Sequence, residues 1–251
     1  VTGGAKGIGA ATVKAFLEED CRVVLVDRDS ETGTTLSKAL GSRVQYIEAD
    51  LTVSIACKKA IDQTVSLFGG LDVLVNNAGF NDGLGLETPP EDFMLSVQNN
   101  LLHVYAMTHY ALPLLRKVQG CLVNLGSKVS ETGQGHTSAY AAAKGAISAL
   151  TREWAVALAP DKIRVNCVIP AECLSDQYEQ FFLSQVEPKA AKKAISELVP
   201  FAQRFTTPQE IAQTIVFLAS GRSSHTTGQL VFVDGGYTHF DRAVGHGHNK
   251  W

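Results

Sequence analysis

The sequence lacks a concentration of charge of either sign. Its 22 lysines and arginines are set against 25 aspartates and glutamates, which gives a net charge of −3, and no basic run occurs. Proteins that bind nucleic acid or a membrane surface need a concentrated positive face. We therefore expect neither of these partners, and the composition favours a small molecule instead.

Cysteine is scarce and scattered. The cysteines are odd in number and never spaced as C-x-x-C, so the sequence predicts neither a disulfide framework nor a zinc site. They are Cys21, Cys57, Cys121, Cys167 and Cys173. A reducing, cytoplasmic setting is the expectation that follows.

Long apolar runs and linkers are also missing. No uncharged apolar stretch approaches the roughly 20 residues needed to cross a bilayer, and no signal-peptide pattern is visible. No repeat, low-complexity segment or Pro/Ser-rich linker divides the 251 residues. We therefore expect one domain that covers residues 1–251.

Short β-branched runs alternate with longer helical patterns along the whole chain. The runs are apolar at consecutive positions, as in strands buried on both faces of a parallel sheet. They predict strands within 21–27, 43–50, 71–79, 120–127, 163–170 and 229–236, with helices at about 8–19, 54–67, 91–117, 138–159, 188–197 and 208–219. The predicted fold class is α/β, a Rossmann-type doubly wound parallel sheet.

Three local features refine this fold. The chain begins with VTGG, which is typical of a strand end, so we expect the first strand to be truncated at the N-terminus. Residues 173–200 follow a strand and predict either a small helical lid over the ligand crevice or a passive helical hairpin. Thr207, just before Pro208, is predicted to cap a helix.

A glycine-rich stretch, TGGAKGIG at residues 2–9, follows the truncated strand and opens a helix. Glycines at 3, 7 and 9 let the backbone turn tightly and approach a pyrophosphate at the helix N-terminus. Asp27 ends the next strand, where a carboxylate can accept hydrogen bonds from the adenosine ribose. Because a carboxylate also repels a 2′-phosphate, NAD is favoured over NADP.

Three charged residues near this stretch leave alternatives open. Lys6 and Arg28 could serve a phosphate or be solvated surface charges. Asp50 could hold the adenine amino group or cap the helix that follows it.

Tyr140 and Lys144 lie four positions apart on a helix rich in alanine, and hence on one face. An ammonium close to a phenol favours the phenolate, so this pair can act as a proton acceptor. Ser127 ends a strand thirteen residues earlier, at the edge where open α/β sheets bind ligands. The alternatives are a surface Tyr/Lys pair and a serine that caps a turn.

Taken together, these motifs resemble the short-chain dehydrogenase/reductase family. The resemblance is carried by T-G-x-x-x-G-x-G at 2–9, N-N-A-G at 76–79, Asn100 and a serine thirteen residues before Y-x-x-x-K, then by IRVNCVIPAECLS and VDGG. It covers essentially the whole chain. It implies an NAD(P)-dependent enzyme that acts on CH–OH groups.

The resemblance also implies a role for each matching residue. Tyr140 would exchange a proton with the substrate oxygen that Ser127 holds, and Lys144 would bind the nicotinamide ribose and lower the tyrosine pKa. Asn100 would support a water that links Lys144 to solvent. The cofactor is assigned to Gly3, Lys6, Gly7, Ile8, Gly9, Asp27, Arg28, Asp50, Leu51, Asn77, Ala78, Gly79, Tyr140, Lys144, Pro170, Glu172, Cys173 and Ser175.

The sequence departs from the family pattern after the predicted strand at 163–170. The usual P-G is replaced by Pro170 and Ala171, and Glu172 follows close to the expected nicotinamide pocket. Since an unpaired buried carboxylate is costly, Glu172 should meet hydroxyl or cationic partners. Ser175 stands where the family usually has a threonine.

Polar loops surround the predicted pocket, whereas a steroid or acyl chain calls for apolar walls. The strings NNAGFNDGLGLE, TGQGHTSAYAAAKGA, LTREWAVALAP and VIPAE resemble the sugar branch of the family, which includes L-fucose and other aldose 1-dehydrogenases. Candidate contacts to the sugar are Asn81, Asp82, Ser127, Lys128, Glu131, Gln134, His136 and Glu172, although each could be a solvated loop residue. Alternatives are a carbonyl reductase of 3-oxoacyl or steroid substrates and an NAD-sensing protein without turnover.

Two further segments carry weaker expectations. The helix LLHVYAMTHYALPLL at 101–115 is apolar on more than one side, so it either packs against a second subunit, in a dimer or tetramer, or is deeply buried. The C-terminal segment contains His239, His246 and His248, and we expect no metal site there.

Overall fold

Six strands and eight α-helices occur along residues 1–240, which are the residues that this computed structural model describes, apart from the side chains of residues 176 and 177. His246 and His248 lie outside the described residues. The strands are β1 (Val23–Asp27), β2 (Val44–Glu48), β3 (Val73–Asn76), β4 (Cys121–Leu125), β5 (Arg164–Pro170) and β6 (Leu230–Val233). The helices are α1 (Gly7–Glu18), α2 (Ser30–Leu40), α3 (Ser54–Phe68), α4 (Pro90–Val118), α5 (Ser138–Ala157), α6 (Asp176–Leu183), α7 (Pro188–Ser196) and α8 (Pro208–Ala219).

All the strand pairs are parallel. β1 pairs with β2, and β3, β4, β5 and β6 pair in that order. Residues 1–3 join the two groups, because the Thr2 amide donates to the Val75 carbonyl at 3.0 Å and the Gly3 amide donates to the Val26 carbonyl at 2.8 Å. The order across the sheet is therefore β2, β1, residues 1–3, β3, β4, β5, β6, and the predicted doubly wound α/β fold is confirmed.

Neighbouring strand residues face opposite layers of helices, as the consecutive apolar runs predict. Leu25 of β1 and Val123 of β4 pack in a cluster with α1 and α8. Val24 and Leu122, their neighbours in sequence, pack in a second cluster with α3, α4 and α5. Both faces of the sheet are thus covered, and the carboxyl ends of its strands lie along one edge.

The sequence prediction missed α2, and it gave α6 no bounds of its own, although it placed a helical lid or a helical hairpin at 173–200. α2 has one fully buried residue, Gly33, where a Cβ would stand 2.3 Å from the Tyr46 ring, and its Leu36 and Leu40 pack, partly buried, against the core. α6 and α7 occupy the segment predicted as a lid. The Thr207 cap is confirmed, since its hydroxyl accepts from the Glu210 amide at 3.3 Å and the Glu210 carboxylate accepts from the Thr207 amide at 2.8 Å.

The long helix α4 is buried on one side and exposed on the other. Val104, Met107 and Leu115 are buried, whereas Tyr105 on the other side of the helix is 54% exposed. Within residues 1–240, no helix is long and apolar enough to cross a membrane, and no group of three His, Cys, Asp or Glu side chains is placed to hold a metal ion.

Candidate active site

One cavity of about 1120 Å³ runs along the carboxyl ends of the strands. Every residue that the family resemblance assigns to the cofactor lines it. Of the candidate sugar contacts, the cavity wall includes Asn81, Ser127, Lys128, Gln134, His136 and Glu172. Residues from opposite ends of the chain thus converge on a single space.

Two of the candidate sugar contacts do not line this cavity. Glu131 is exposed at the end of a short turn, where the Ser130 hydroxyl donates to its carboxylate at 3.3 Å, so it faces solvent rather than the cavity. Asp82 has one buried carboxylate oxygen without a hydrogen-bond partner among the described residues, and its charge raises the pKa of Tyr140. Asp82 is therefore close to the site although it is not part of the wall.

The part of the cavity lined by residues 2–9 and Asp27, which we call the glycine end, is shaped by main chain. A Cβ at Gly9 would stand 1.9 Å from the Gly3 carbonyl oxygen and 2.7 Å from the Asn77 amide nitrogen. The first turn of α1 has no acidic side chain, and its N-cap, Lys6, makes no side-chain hydrogen bond to the helix. A tight glycine turn and an unopposed helix N-terminus fit the pyrophosphate of a dinucleotide.

Asn77 and Thr2 fix this turn to the end of β3. The Thr2 hydroxyl accepts from the Asn77 amide at 2.9 Å and the Ala78 amide at 3.0 Å. The Asn77 side chain donates back to the Thr2 and Gly3 carbonyls at 2.8 and 3.0 Å. The glycine end is therefore held rigidly against the sheet by four hydrogen bonds.

The charged residues near the glycine end already have partners. Asp27 accepts from the Ala5 and Asp29 amides, both at 3.1 Å, which ties the glycine turn to the end of β1. Lys6 forms an ion pair with Asp29 at 2.6 Å and holds the pKa of that carboxyl at about 2. The Arg28 guanidinium lies 5.9 Å from the Phe80 ring centre.

Asp50 neither caps a helix nor lies far from the cavity. Its carboxylate accepts from the Thr52 amide at 3.0 Å and from the Thr52 hydroxyl at 2.7 Å, whereas the N-cap of α3 is Val53. The capping alternative is therefore wrong, because the Asp50 side chain closes a turn with Thr52 that ends before the N-cap of α3.

Tyr140 and Ser127 meet on the cavity wall. Burial raises the pKa of Tyr140 to about 12, and the hydrogen bond between its side chain and that of Ser127 opposes this rise. The lowering of the tyrosine pKa by Lys144, which the family resemblance implies, stays a prediction. The Lys144 ammonium lies over the face of the phenol ring, 5.4 Å from its centre, and donates to the Leu125 carbonyl at 2.8 Å.

Lys144 is one of the most deeply buried long side chains of the protein, with 2% of its surface exposed. Burial lowers its pKa to about 8. A Cβ on Gly79, whose φ is +148°, would stand 3.2 Å from Asn100 Oδ1 and 3.5 Å from Lys144 Nζ. Glycine at 79 therefore leaves the room in which these two side chains approach each other.

Asn100 is buried behind the cavity wall rather than on it. Its side-chain oxygen accepts from the Phe80 amide at 2.9 Å, and its side-chain nitrogen donates to the Ser96 carbonyl at 3.1 Å. These bonds fix the chain just beyond the N-N-A-G motif. The water assigned to Asn100 by the family resemblance stays a prediction.

Glu172 meets both kinds of partner that its burial requires. It is 3% exposed, and its two carboxylate oxygens accept from the Lys128 ammonium and from the Tyr178 hydroxyl. Lys128 Nζ also lies 4.3 Å from the centre of the Tyr237 ring. We call Lys128, Glu172, Tyr178 and Tyr237 the charged end of the cavity, since all four line it.

Sequence reasoning missed three of the residues at this site. Tyr178 and Tyr237 come from α6 and from the segment after β6, and only the lid prediction pointed towards the first. His103 lies one turn after Asn100 on α4, and neither ring nitrogen has a partner among the described residues. Burial, with a smaller contribution from the Lys144 charge, lowers the pKa of His103 to about 4, so the ring is neutral near pH 7.

A family model described as enoyl-(acyl carrier protein) reductase matches residues 3–238 of the chain. The chain belongs to the short-chain dehydrogenase/reductase family. It is thus an oxidoreductase acting on CH–OH groups, and its family uses a nicotinamide cofactor, as the sequence motifs predicted.

Known members of this short-chain dehydrogenase/reductase family differ in what they act on. L-fucose dehydrogenase of Mus musculus is 36% identical over 94% of this chain and 86% of its own length. The 3-oxoacyl-[acyl-carrier-protein] reductase FabG of Thermotoga maritima is 34% identical over 94% of this chain and 95% of its own. The aldohexose dehydrogenase of Thermoplasma acidophilum superimposes with a TM-score of 0.88 at 27% identity, over 96% of this chain and 93% of that one.

Proposed function

We propose that this dehydrogenase oxidises the anomeric hydroxyl of an aldose to the lactone with NAD. The substrate is L-fucose or a related sugar such as D-arabinose or L-galactose. The observation that carries the proposal is the wall beyond Ser127, where Lys128, Gln134, His136 and Glu172 present charged and polar groups to the cavity. A hydroxyl-rich ligand can form hydrogen bonds with such groups, whereas an apolar chain would bury them without forming any.

In the proposed reaction, Tyr140 accepts the proton of the anomeric hydroxyl and Ser127 holds the same oxygen. Their shared hydrogen bond stabilises the phenolate relative to the phenol. Lys144 can pass a proton onward, because burial brings its pKa to about 8 and hence close to neutral. Asn100 positions the chain at Phe80 beside these groups.

The cofactor would be held by the glycine end and by the wall from Pro170 to Ser175. When bound, the oxidised nicotinamide supplies the hydride acceptor and a positive charge. Asp27 favours NAD because its carboxylate would repel a 2′-phosphate. Lys6 is already paired with Asp29, which leaves it less available to a second phosphate.

Three less specific features belong to the same proposal. α6 and α7 form a lid over the cavity, since Tyr178, Phe181 and Ile195 contribute to its wall.

The protein works as a homo-oligomer, a dimer or tetramer. Exposed apolar residues on α4 and α5 support this assembly, namely Met94 at 59%, Leu95 at 54%, Tyr105 at 54% and Val156 at 77%. Its location is cytoplasmic, where the five free thiols would stay reduced.

The second candidate is a carbonyl reductase of 3-oxoacyl or steroid substrates. The observation in its favour is the similarity to the Thermotoga FabG protein. A third possibility, an NAD sensor without turnover, gives no reason for Ser127, Tyr140 and Lys144 to share one cavity wall.

The test is NADH formation, followed by absorbance, over a panel of aldoses, steroids and 3-hydroxyacyl thioesters. We expect turnover with aldoses. Tyr140→Phe should lower kcat by about 10²–10⁴-fold because it removes the proton acceptor, while NADH affinity measured by fluorescence stays within about twofold. Turnover confined to steroids or thioesters would refute the sugar proposal, and a fully active Phe variant would refute the role of Tyr140.

A further inference from the structure

The charged end of the cavity is assembled from four separate segments. Lys128 directly follows the catalytic Ser127, Glu172 follows β5, Tyr178 lies on α6, and Tyr237 follows β6. The Lys128 and Glu172 side chains are 9% and 3% exposed, and both touch the cavity that contains Ser127 and Tyr140. A full ion pair therefore stands beside the reacting groups and is almost shielded from bulk water.

A buried ion pair of this kind contributes little to the free energy of unfolding. The desolvation of two charges offsets most of their attraction, and apolar replacements of similar volume are often neutral or stabilising. The other lysine and arginine ion pairs of the described residues are solvated, with side-chain exposures of at least 30%. Because the one buried pair faces the cavity, we look for its role in what the cavity binds.

The two oxygens of Glu172 are not equivalent. One accepts from Lys128, and the other accepts from the hydroxyl of Tyr178. The Tyr178 ring is anchored independently, with ring centres 5.5 Å from Phe182 and 5.6 Å from Phe205. The phenol hydroxyl can therefore leave Glu172 without the ring losing its packing.

We propose that Glu172 and Lys128 together bind two neighbouring hydroxyls of the sugar, and that the Tyr178 hydroxyl stands in for one of them in the ligand-free protein. Glu172 accepts the hydrogen of one sugar hydroxyl in exchange for that of Tyr178. Lys128 donates to the oxygen of the adjacent hydroxyl. The pair thereby determines specificity within the proposed sugar dehydrogenase function, on which this inference rests.

The arrangement predicts opposite effects for two substitutions. Glu172→Gln keeps the shape but weakens the acceptor, so KM for the sugar should rise by about 10- to 100-fold with a smaller change in kcat. Tyr178→Phe removes the competing donor and keeps the aromatic packing, so KM should fall severalfold. A rise in KM for Tyr178→Phe would overturn the stand-in role.

Monodeoxy analogues of L-fucose identify the hydroxyl that Glu172 binds. For the analogue that lacks it, the wild-type enzyme should already show the raised KM, and Glu172→Gln should add nothing further. For the other analogues the substitution should keep its full effect. Equal effects of Glu172→Gln on every analogue would show a general disturbance of the site and overturn the proposal.

Glu131→Gln is the matched control, since Glu131 lies on the same loop as Lys128 but faces solvent. If the wild type oxidises aldoses and the two Gln variants behave alike, this inference fails and the proposed function stands. If the wild type oxidises no aldose, the proposed function fails first. Should Glu172→Gln not fold by circular dichroism, the double variant Lys128→Gln/Glu172→Gln leaves no unpaired charge, and it should bind the sugar and the analogues that lack either of the two hydroxyls equally. Discrimination among these ligands like that of the wild type would overturn the proposal.

Discussion

At the glycine end of the cavity the wall is mostly main chain, whereas at the charged end it is made of long side chains. Gly9 meets the Gly3 carbonyl and Asn77 with no room for a methyl group. At the charged end, Lys128, Glu172 and Tyr178 reach one another from separate segments. The first arrangement suits a ligand part that never varies, and the second can be altered by side-chain substitution without changing the backbone.

After Tyr140→Phe, the largest expected effect lies between the two ends, at Ser127. Ser127→Ala removes the hydrogen bond that lowers the pKa of Tyr140 and so offsets part of the rise caused by burial. We expect kcat/KM for oxidation to fall by about 10²–10³-fold, as for other donors to a developing oxyanion. Steady-state rates of NADH formation measure this loss.

The pH profile of the same variant shows whether the Ser127 hydrogen bond lowers the pKa of Tyr140. Oxidation needs the deprotonated tyrosine, so the rate rises with pH through the alkaline range. Because the Ser127 hydrogen bond lowers the pKa of Tyr140, its loss should move the rising limb to higher pH. A limb that stays in place would show that Ser127 acts on the substrate alone.

A substitution at the glycine end should act on the cofactor rather than on the sugar. Gly9→Ala forces the turn to shift by overpacking, which costs about 1–3 kcal/mol, and NADH affinity should fall by about 10- to 100-fold. Fluorescence titration with NADH measures it. Gly70→Ala, where a Cβ meets nothing within 4 Å, is the control and should leave the affinity unchanged.

A smaller effect is expected where the glycine end does use a side chain. Asp27→Asn removes the charge that repels a 2′-phosphate, so the ratio of kcat/KM for NAD to that for NADP should fall by about tenfold. The control is Asp62→Asn on the surface of α3, which should leave the ratio as it is. An unchanged ratio in Asp27→Asn would mean that another group selects the cofactor.

The sequence predicts the sheet well, because its strands are apolar on consecutive positions and both faces are covered. It does not predict α2, and it predicts α6 only as part of a helical lid or hairpin. α2 contacts the core through Leu36 and Leu40 and places Gly33 against the Tyr46 ring, and this last contact between distant residues leaves no periodic signal. α6 is short, at eight residues, and has no apolar stripe long enough to stand out.

At the site, the sequence predicts that Glu172 needs a partner, but it does not predict which residues are its partners. The cost of an unpaired carboxylate predicts that Glu172 is paired, yet Lys128 and Tyr178 become its neighbours only through the fold. His103 and the raised pKa of Tyr140 likewise depend on burial, which a local motif does not report.

The pairing of Glu172 with Lys128 also bears on how this enzyme can change over evolutionary time. Loss of either partner alone leaves a charge buried without compensation, which typically costs about 3–5 kcal/mol, a large share of a protein's stability. Two neutral replacements together avoid that penalty. Lineages with a different substrate preference should therefore differ at positions 128 and 172 jointly, and intermediates with one change should be rare unless stabilised elsewhere in the chain.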